Sequence, residues 1–378
     1  MDLPYITIFV VLLVLAYFYR KVPHGKYIKL SCISVLLFIG ARARVVGGDT
    51  IDYVRYFVGE FSIYSYYEHV EQLFRQYNKI MGILLFHNEV LYLLVHTFIC
   101  LLPIYKLAQK ESNSIPLSCL LFFVCGYYIH YMSALRQVLG LSILLWGIIY
   151  VIDKRKYRWI VFILSGIVGW SFHSSVFIAF WGYLLCYFFA IKKKKIYYIG
   201  IIFTSLIGVV FKSFNVSDFF ALLALNHISE MKRMNEYLSW GLVDNDLGIF
   251  TLLSSSIVSI FVIYLMDRNR VNSWVLKLYW VGIMLTNLFY AVPMISRLTL
   301  PFSIMGIFCM TWMFDSRYKL AQQSQKLKIK VLILLVIGYF SQSYVKQQIY
   351  YDLYDNMLLH PYYFFWQDYH KHPSLIQR

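Results

Sequence analysis

Charge is what this chain is short of. Only 14% of its 378 residues are charged, while 60% are hydrophobic and the mean hydropathy is +0.60. Soluble domains carry about a quarter charged residues, so a soluble globular fold is excluded. Acidic residues are the scarcer sign, 19 against 35 basic, for a net charge of +16. In a soluble protein that excess would point to nucleic acid; in a membrane chain basic residues mark loops, and no nucleic-acid partner is expected. The six cysteines, Cys32, Cys100, Cys119, Cys125, Cys186 and Cys309, lie in or beside apolar runs. They contain no C-x-x-C pair, which supports neither a disulfide framework nor a thiolate metal site. There is no H-x-x-x-H or H-E-x-x-H helix, so no histidine metal site or metal cofactor is expected. A cleavable signal is missing too: Met1-Asp2-Leu3 lacks positive charge, and Arg20-Lys21 follows the first apolar run. That order fits an uncleaved first span with its N-terminus outside. With no repeat or low-complexity linker, residues 1–378 read as a single integral membrane domain.

What is there is a succession of apolar runs. They predict an all-α polytopic protein with spans at about 4–19, 28–41, 88–106, 115–132, 136–152, 158–172, 174–190, 196–211, 249–266, 274–291, 298–314 and 331–345. An outside N-terminus assigns the short loops Arg20–Lys29, Lys106–Glu111, Asp153–Arg158, Lys192–Lys195, Asp267–Arg270 and Asp315–Lys330 to the cytoplasm. These loops hold most of the lysines and arginines, as the positive-inside rule requires. Three longer segments, about 42–87, 212–248 and 346–378, then lie outside. Loops of such length are commonly functional, and they place the chemistry on the outer face.

The stretch from Ser133 to Ser175 reads as a helical hairpin with Arg136 and His173 at the same end. Roughly 32 residues from Arg158 to Phe189 reach about 48 Å, against about 60 Å for two crossings, so the bend at His173 is expected to be recessed. Such a bend needs a cavity lined by protein or water. The outer segment opens Arg42-Ala43-Arg44-Val45-Val46-Gly47-Gly48-Asp49. Its glycines allow a sharp turn that folds Asp49 over the membrane mouth, although Asp49 also suits a helix N-cap. Arg42, Arg44, Arg136 and Arg297 each have a plain reading as interfacial anchors. Their shared outer side runs against the positive-inside bias, and a doubly charged anion would need them, since arginine's donor fork suits pyrophosphate oxygens. Asp244-Asn245-Asp246 is a weak metal motif that reads first as a polar turn. The aromatic tail, from Tyr350 to Tyr369, offers either sugar-stacking faces or an interfacial belt, the belt being favoured.

Taken together, Arg44…Gly48-Asp49 with Tyr53, Leu135-Arg136-Gln137, Phe172-His173-Ser174-Ser175, Arg233 with Tyr237, and Arg297 resemble the EpsG-like group of bacterial polysaccharide polymerases, within the broader Wzy type. One departure is Ser175-Val176, where that family commonly shows Ser-Ala. The resemblance implies a GT-C-like inner-membrane glycosyltransferase that polymerises undecaprenyl-pyrophosphate-linked repeat units on the periplasmic face. It would use no cofactor, and its partners would be the lipid-linked oligosaccharide, membrane lipid and a chain-length regulator. On this reading His173, Asp49 and Arg136 are catalytic, with His173 the first choice of base. Arg42, Arg44, Arg136 and Arg297 would bind pyrophosphate, and Asp52, Tyr53, Gln137, Arg233 and Tyr237 would contact glycan or acceptor. The rival readings are a lipid-linked oligosaccharide flippase, which needs charge at mid-membrane depth where Lys277 is the main candidate, and a ligase using the same donor.

Overall fold

Each expected span from 4–19 through 298–314 coincides with a helix or a broken helix in the computed structural model of the chain, which describes residues 3–60, 70–191, 193, 195–213, 249–267, 272–290, 295–314 and 359–368, with isolated positions between 331 and 342. The span at 331–345 falls mostly outside these residues. Among the described residues there is no strand, and the only bridge is an isolated antiparallel one between Arg42 and Phe364. This is the all-helical architecture of a membrane protein.

In order, the helices are α1 (Leu3–Lys21), α2 (Gly25–Gly40), α3 (Thr50–Val58), α4 (Gln72–Leu84), α5 (Glu89–Glu111), α6 (Ile115–Val124), α7 (Tyr127–Ser133), α8 (Leu135–Ile152), α9 (Arg158–Phe172), α10 (Ser175–Phe188), α11 (Lys195–Ser213), α12 (Ile249–Asp267), α13 (Ser273–Leu288), α14 (Ile295–Ser303) and α15 (Met305–Met310). Local chemistry sets several starts. Asn88 Oδ1 accepts the Leu91 N–H at 3.0 Å and Ser114 Oγ accepts the Leu117 N–H at 3.4 Å, satisfying donors that an α-helix leaves unpaired at its first turn. Helices α1, α5 and α8 are long and apolar enough to cross a membrane, and the pair α6 and α7, bent by 72°, makes a fourth. The bend falls at Gly126, whose positive φ of 77° suits glycine. Helices α9 and α10, with 15 and 14 residues, reach only about 22 and 21 Å, in keeping with a hairpin too short for two full crossings.

The chain divides into two compact units, residues 1–180 with 340–378, and residues 181–339. In the first, α8 packs along α9 and α5, while α1, α2 and α6 pack together. Helices α8 and α9 approach until their backbones touch. A Cβ added at Gly140 would meet the Gly169 carbonyl oxygen at 2.7 Å, and one added at Gly169 would meet the Gly140 oxygen at the same distance. Arg136 lies one turn before Gly140 and His173 one turn after Gly169, so both sit on the same side of the crossing. At the far ends of α5 and α8, Lys110 pairs with Asp153 at 2.5 Å, bringing together two of the loops expected to share a membrane side.

Two short amphipathic helices, α3 and α4, build the described part of the 42–87 segment. Ile51, Val54 and Phe57 of α3 and Phe74 and Met81 of α4 are buried at helical spacing, and Phe57 stacks on Tyr92 of α5 at 4.2 Å. Residues 359–368 also belong to the first unit, and 359–364 are packed against it. Ala43 donates to the Tyr363 carbonyl at 2.8 Å, Phe365 donates to the Ala41 carbonyl at 3.1 Å, and Tyr5 Oη donates to the Leu359 carbonyl at 2.7 Å. Tyr362 is buried against Phe38, whereas Phe365 and Trp366 stay exposed.

The second unit is built around α13, which packs on α11 and α14. Lys277 on α13, the charge expected at depth, donates to the Phe189 carbonyl at 2.8 Å, just past the end of α10. There it caps orphan carbonyls and complements the negative end of the helix dipole.

Candidate active site: an arginine-lined mouth

The turn after α2 carries two arginines with opposite fates. Gly47, at φ +103°, lets residues 42–50 double back so tightly that a Cβ there would meet the Met132 carbonyl oxygen at 2.5 Å. The positive φ expected of this glycine pair thus falls on Gly47. Within the turn the Arg42 guanidinium is fully buried. Its Nε donates to the Val46 carbonyl at 3.0 Å, one Nη to the Ile39 carbonyl, and the other Nη to the Met132 carbonyl at 2.7 Å and to Thr50 Oγ1 at 3.2 Å. Burial pulls its pKa down to about 10, still leaving it cationic at neutral pH. Arg42 was expected to hold a substrate phosphate; in this arrangement it ties α2, α3 and α7 together, because every one of its nitrogens faces a protein acceptor.

Arg44, two residues on, reaches the surface. Its Nη1 lies 3.2 Å from both oxygens of Glu60 and 3.4 Å from Glu89, with the Arg44 side chain 23% exposed. Asp49 occupies the N-cap position of α3 yet makes no side-chain capping bond, so the expected capping role is not realised. Asp52 lies half-buried in the first turn of that helix.

Arg136, at the start of α8, is held from two sides. Its Nε donates to Tyr53 Oη at 2.9 Å and its Nη1 forms an ion pair with Glu71, while its guanidinium carbon lies 5.7 Å from the centre of the Tyr53 ring. Among the described residues Nη2 has no hydrogen-bond partner, and neither has the second carboxylate oxygen of Glu71. The outcome is an oriented guanidinium with one open nitrogen beside one open carboxylate oxygen. Tyr53, expected to touch glycan, is instead buried and positions Arg136. Gln137, expected at the acceptor, is also buried, because the first turn of α8 packs inward.

His173 closes α9 in an extended conformation, φ −161° and ψ 130°. Its Nδ1 accepts the Ser175 backbone N–H at 3.2 Å and lies 2.8 Å from Ser175 Oγ. An Nδ1 that accepts an N–H leaves the proton of the neutral ring on Nε2, so the imidazole offers a donor there, not a base. Nearby, Phe172 packs edge-on against Tyr77 of α4 at 6.1 Å, and Tyr77 Oη bonds to His96 Nδ1 at 3.1 Å.

In the first unit Arg42 bonds to Thr50 and Arg136 to Tyr53, so both arginines meet the 42–58 segment that also carries Arg44 and Asp49. Arg297 belongs to the second unit, on α14. Arg233, Tyr237, Asp244 and Asp246 lie outside the described residues. Sequence reasoning missed Glu71, Glu60 and Glu89. For Glu71 a signal exists: it shares the 3- and 4-residue stripe of Phe74, Asn78 and Met81, the buried face of α4.

An all-helical membrane protein with an oriented arginine, Arg136, at the start of one helix is the class that this fold and site define. Residues 26–364 match the model of the EpsG family, and the chain belongs to that family. Membership brings with it a polysaccharide polymerase-like role, of glycosyltransferase type, in polysaccharide biosynthesis. No curated protein and no solved structure matches the chain.

Proposed function

We propose that the protein polymerises undecaprenyl-pyrophosphate-linked oligosaccharide repeat units on the periplasmic face of a bacterial inner membrane, moving the growing glycan onto the non-reducing end of a new lipid-linked unit. Twelve crossings in a GT-C-like arrangement complete this reading. The observation that carries it is Arg136, gripped by Tyr53 and Glu71 with Nη2 open. Pyrophosphate is a good leaving group, so the transfer needs charge stabilisation at the departing oxygens more than it needs an acid. A guanidinium oriented before substrate arrives supplies that stabilisation without reorganising.

Arg136 is thus the main pyrophosphate ligand, and Arg44 is a second cation whose carboxylate partners yield to the lipid-borne anion. His173 donates through Nε2 to a donor-sugar or phosphate oxygen. A flippase would need charge at depth, but Lys277 is engaged with the Phe189 carbonyl.

Purified protein in liposomes, given only lipid-linked repeat units, tests the proposal. Longer lipid-linked chains are expected, and Arg136→Ala should slow their growth by about 10²- to 10³-fold. Translocation without chain growth would identify a flippase, and reaction only after another acceptor is added would identify a ligase; either result would overturn the polymerase reading.

A further inference from the structure

Transfer to an acceptor hydroxyl releases a proton that some group must take. His173 is poorly placed to take it, because its Nδ1 already accepts from Ser175 and its Nε2 carries the ring proton. Asp49 sits at the start of α3, at its N-cap position. Glu71 is different. It opens α4, turns toward the mouth on that helix's buried stripe, and places one oxygen on Arg136 Nη1. The pair is single-pointed: a bidentate fork would have used Nη2 and the second oxygen as well, and among the described residues both are without a partner. The Glu71 side chain is 22% exposed, so a solvated ligand can reach it.

We propose that Glu71 is the general base of the transfer, an inference that rests on the polymerase reading above. Pyrophosphate oxygens dock on Arg136 Nη2, which sets the anomeric carbon beside the open Glu71 oxygen. The acceptor hydroxyl attacks that carbon. Its oxygen forms the new glycosidic bond while the bond from the anomeric carbon to the phosphate oxygen breaks, and the electron pair leaves with the lipid pyrophosphate. The hydroxyl proton passes to Glu71 and later to water, so no oxidant or other reactant is needed. Arg136 then has two tasks: it neutralises the leaving group, and it aims the carboxylate. Tyr53, which fixes Arg136 from the other side, is a positioning residue.

Glu71→Gln, Glu71→Asp and Glu71→Ala, assayed in liposomes for chain growth and separately for binding of the lipid-linked unit, provide the test. Glu71→Gln keeps an oxygen for Arg136 Nη1 but cannot accept a proton. It should bind lipid-linked unit at least as tightly as wild type while turnover falls by about 10²- to 10⁴-fold. Glu71→Asp should retain more activity than Glu71→Gln, and added formate should restore turnover to Glu71→Ala. Wild-type chain growth with Glu71→Gln turnover within threefold of it would overturn the assignment and leave the polymerase reading standing. So would failure of formate to rescue a Glu71→Ala protein that still binds substrate. A wild-type protein that binds lipid-linked units but never extends them would instead overturn the polymerase reading itself.

Discussion

Arg42 and Arg136 stand at the same end of the first unit, yet they do opposite things. Arg42 meets three backbone carbonyls and a threonine hydroxyl, all fixed by the turn around it. Arg136 meets one phenol and one carboxylate and keeps a nitrogen in reserve. A guanidinium surrounded by carbonyl oxygens stabilises a fold; one that keeps a nitrogen open beside a carboxylate is prepared for an anion. The acceptor type, more than the arginine, distinguishes architecture from function.

Breaking each side of this contrast should give different failures. Arg42→Ala has the largest expected effect: it strands buried carbonyls of Ile39, Val46 and Met132, at roughly 3–5 kcal/mol. Loss of monodisperse protein on detergent gel filtration is the expected readout, and a stable, active Arg42→Ala would erase the contrast. Arg136→Ala should instead leave a folded protein, with chain growth down by about 10²- to 10³-fold. Arg136→Lys should recover little, because an ammonium cannot hold Tyr53 and Glu71 in one plane while presenting a third donor. Gly47→Ala tests the turn behind Arg42; forcing a side chain into φ +103° against the Met132 carbonyl should cost roughly 1–3 kcal/mol, read as a lowered midpoint in thermal unfolding. The smallest effect belongs to Lys110→Ala at the opposite end, where the partly exposed pair with Asp153 contributes about 1 kcal/mol or less and chain growth should not change. A large activity loss there would mean that charge far from the mouth governs the chemistry.

Much of the helical frame was legible because apolar run length is a local property. The shared end of Arg136 and His173 was legible for a similar reason: a short basic loop between two apolar runs makes a hairpin, and Gly140 against Gly169 then locks it. The partners of Arg136 were not. Tyr53 and Glu71 are separated from it by 83 and 65 positions, and only the packing of α3 and α4 across the mouth brings them near. The different fates of Arg42 and Arg44 were equally hidden. They lie two residues apart in a non-helical turn, where no periodicity tells which side chain points inward. His173 shows a subtler limit, since its residue type suggested a base while the geometry of Ser175 decides which nitrogen carries the proton.

The joining of residues 359–368 to the turn at 41–43 also has a meaning in time. Tyr5 and Leu359 are bonded across 354 positions, and the Arg42 turn borrows hydrogen bonds from Tyr363 and Phe365. A chain emerging from the ribosome inserts its first hairpin long before those residues exist. The turn that holds Arg42 therefore stays unfinished until residues 359–368 have been made.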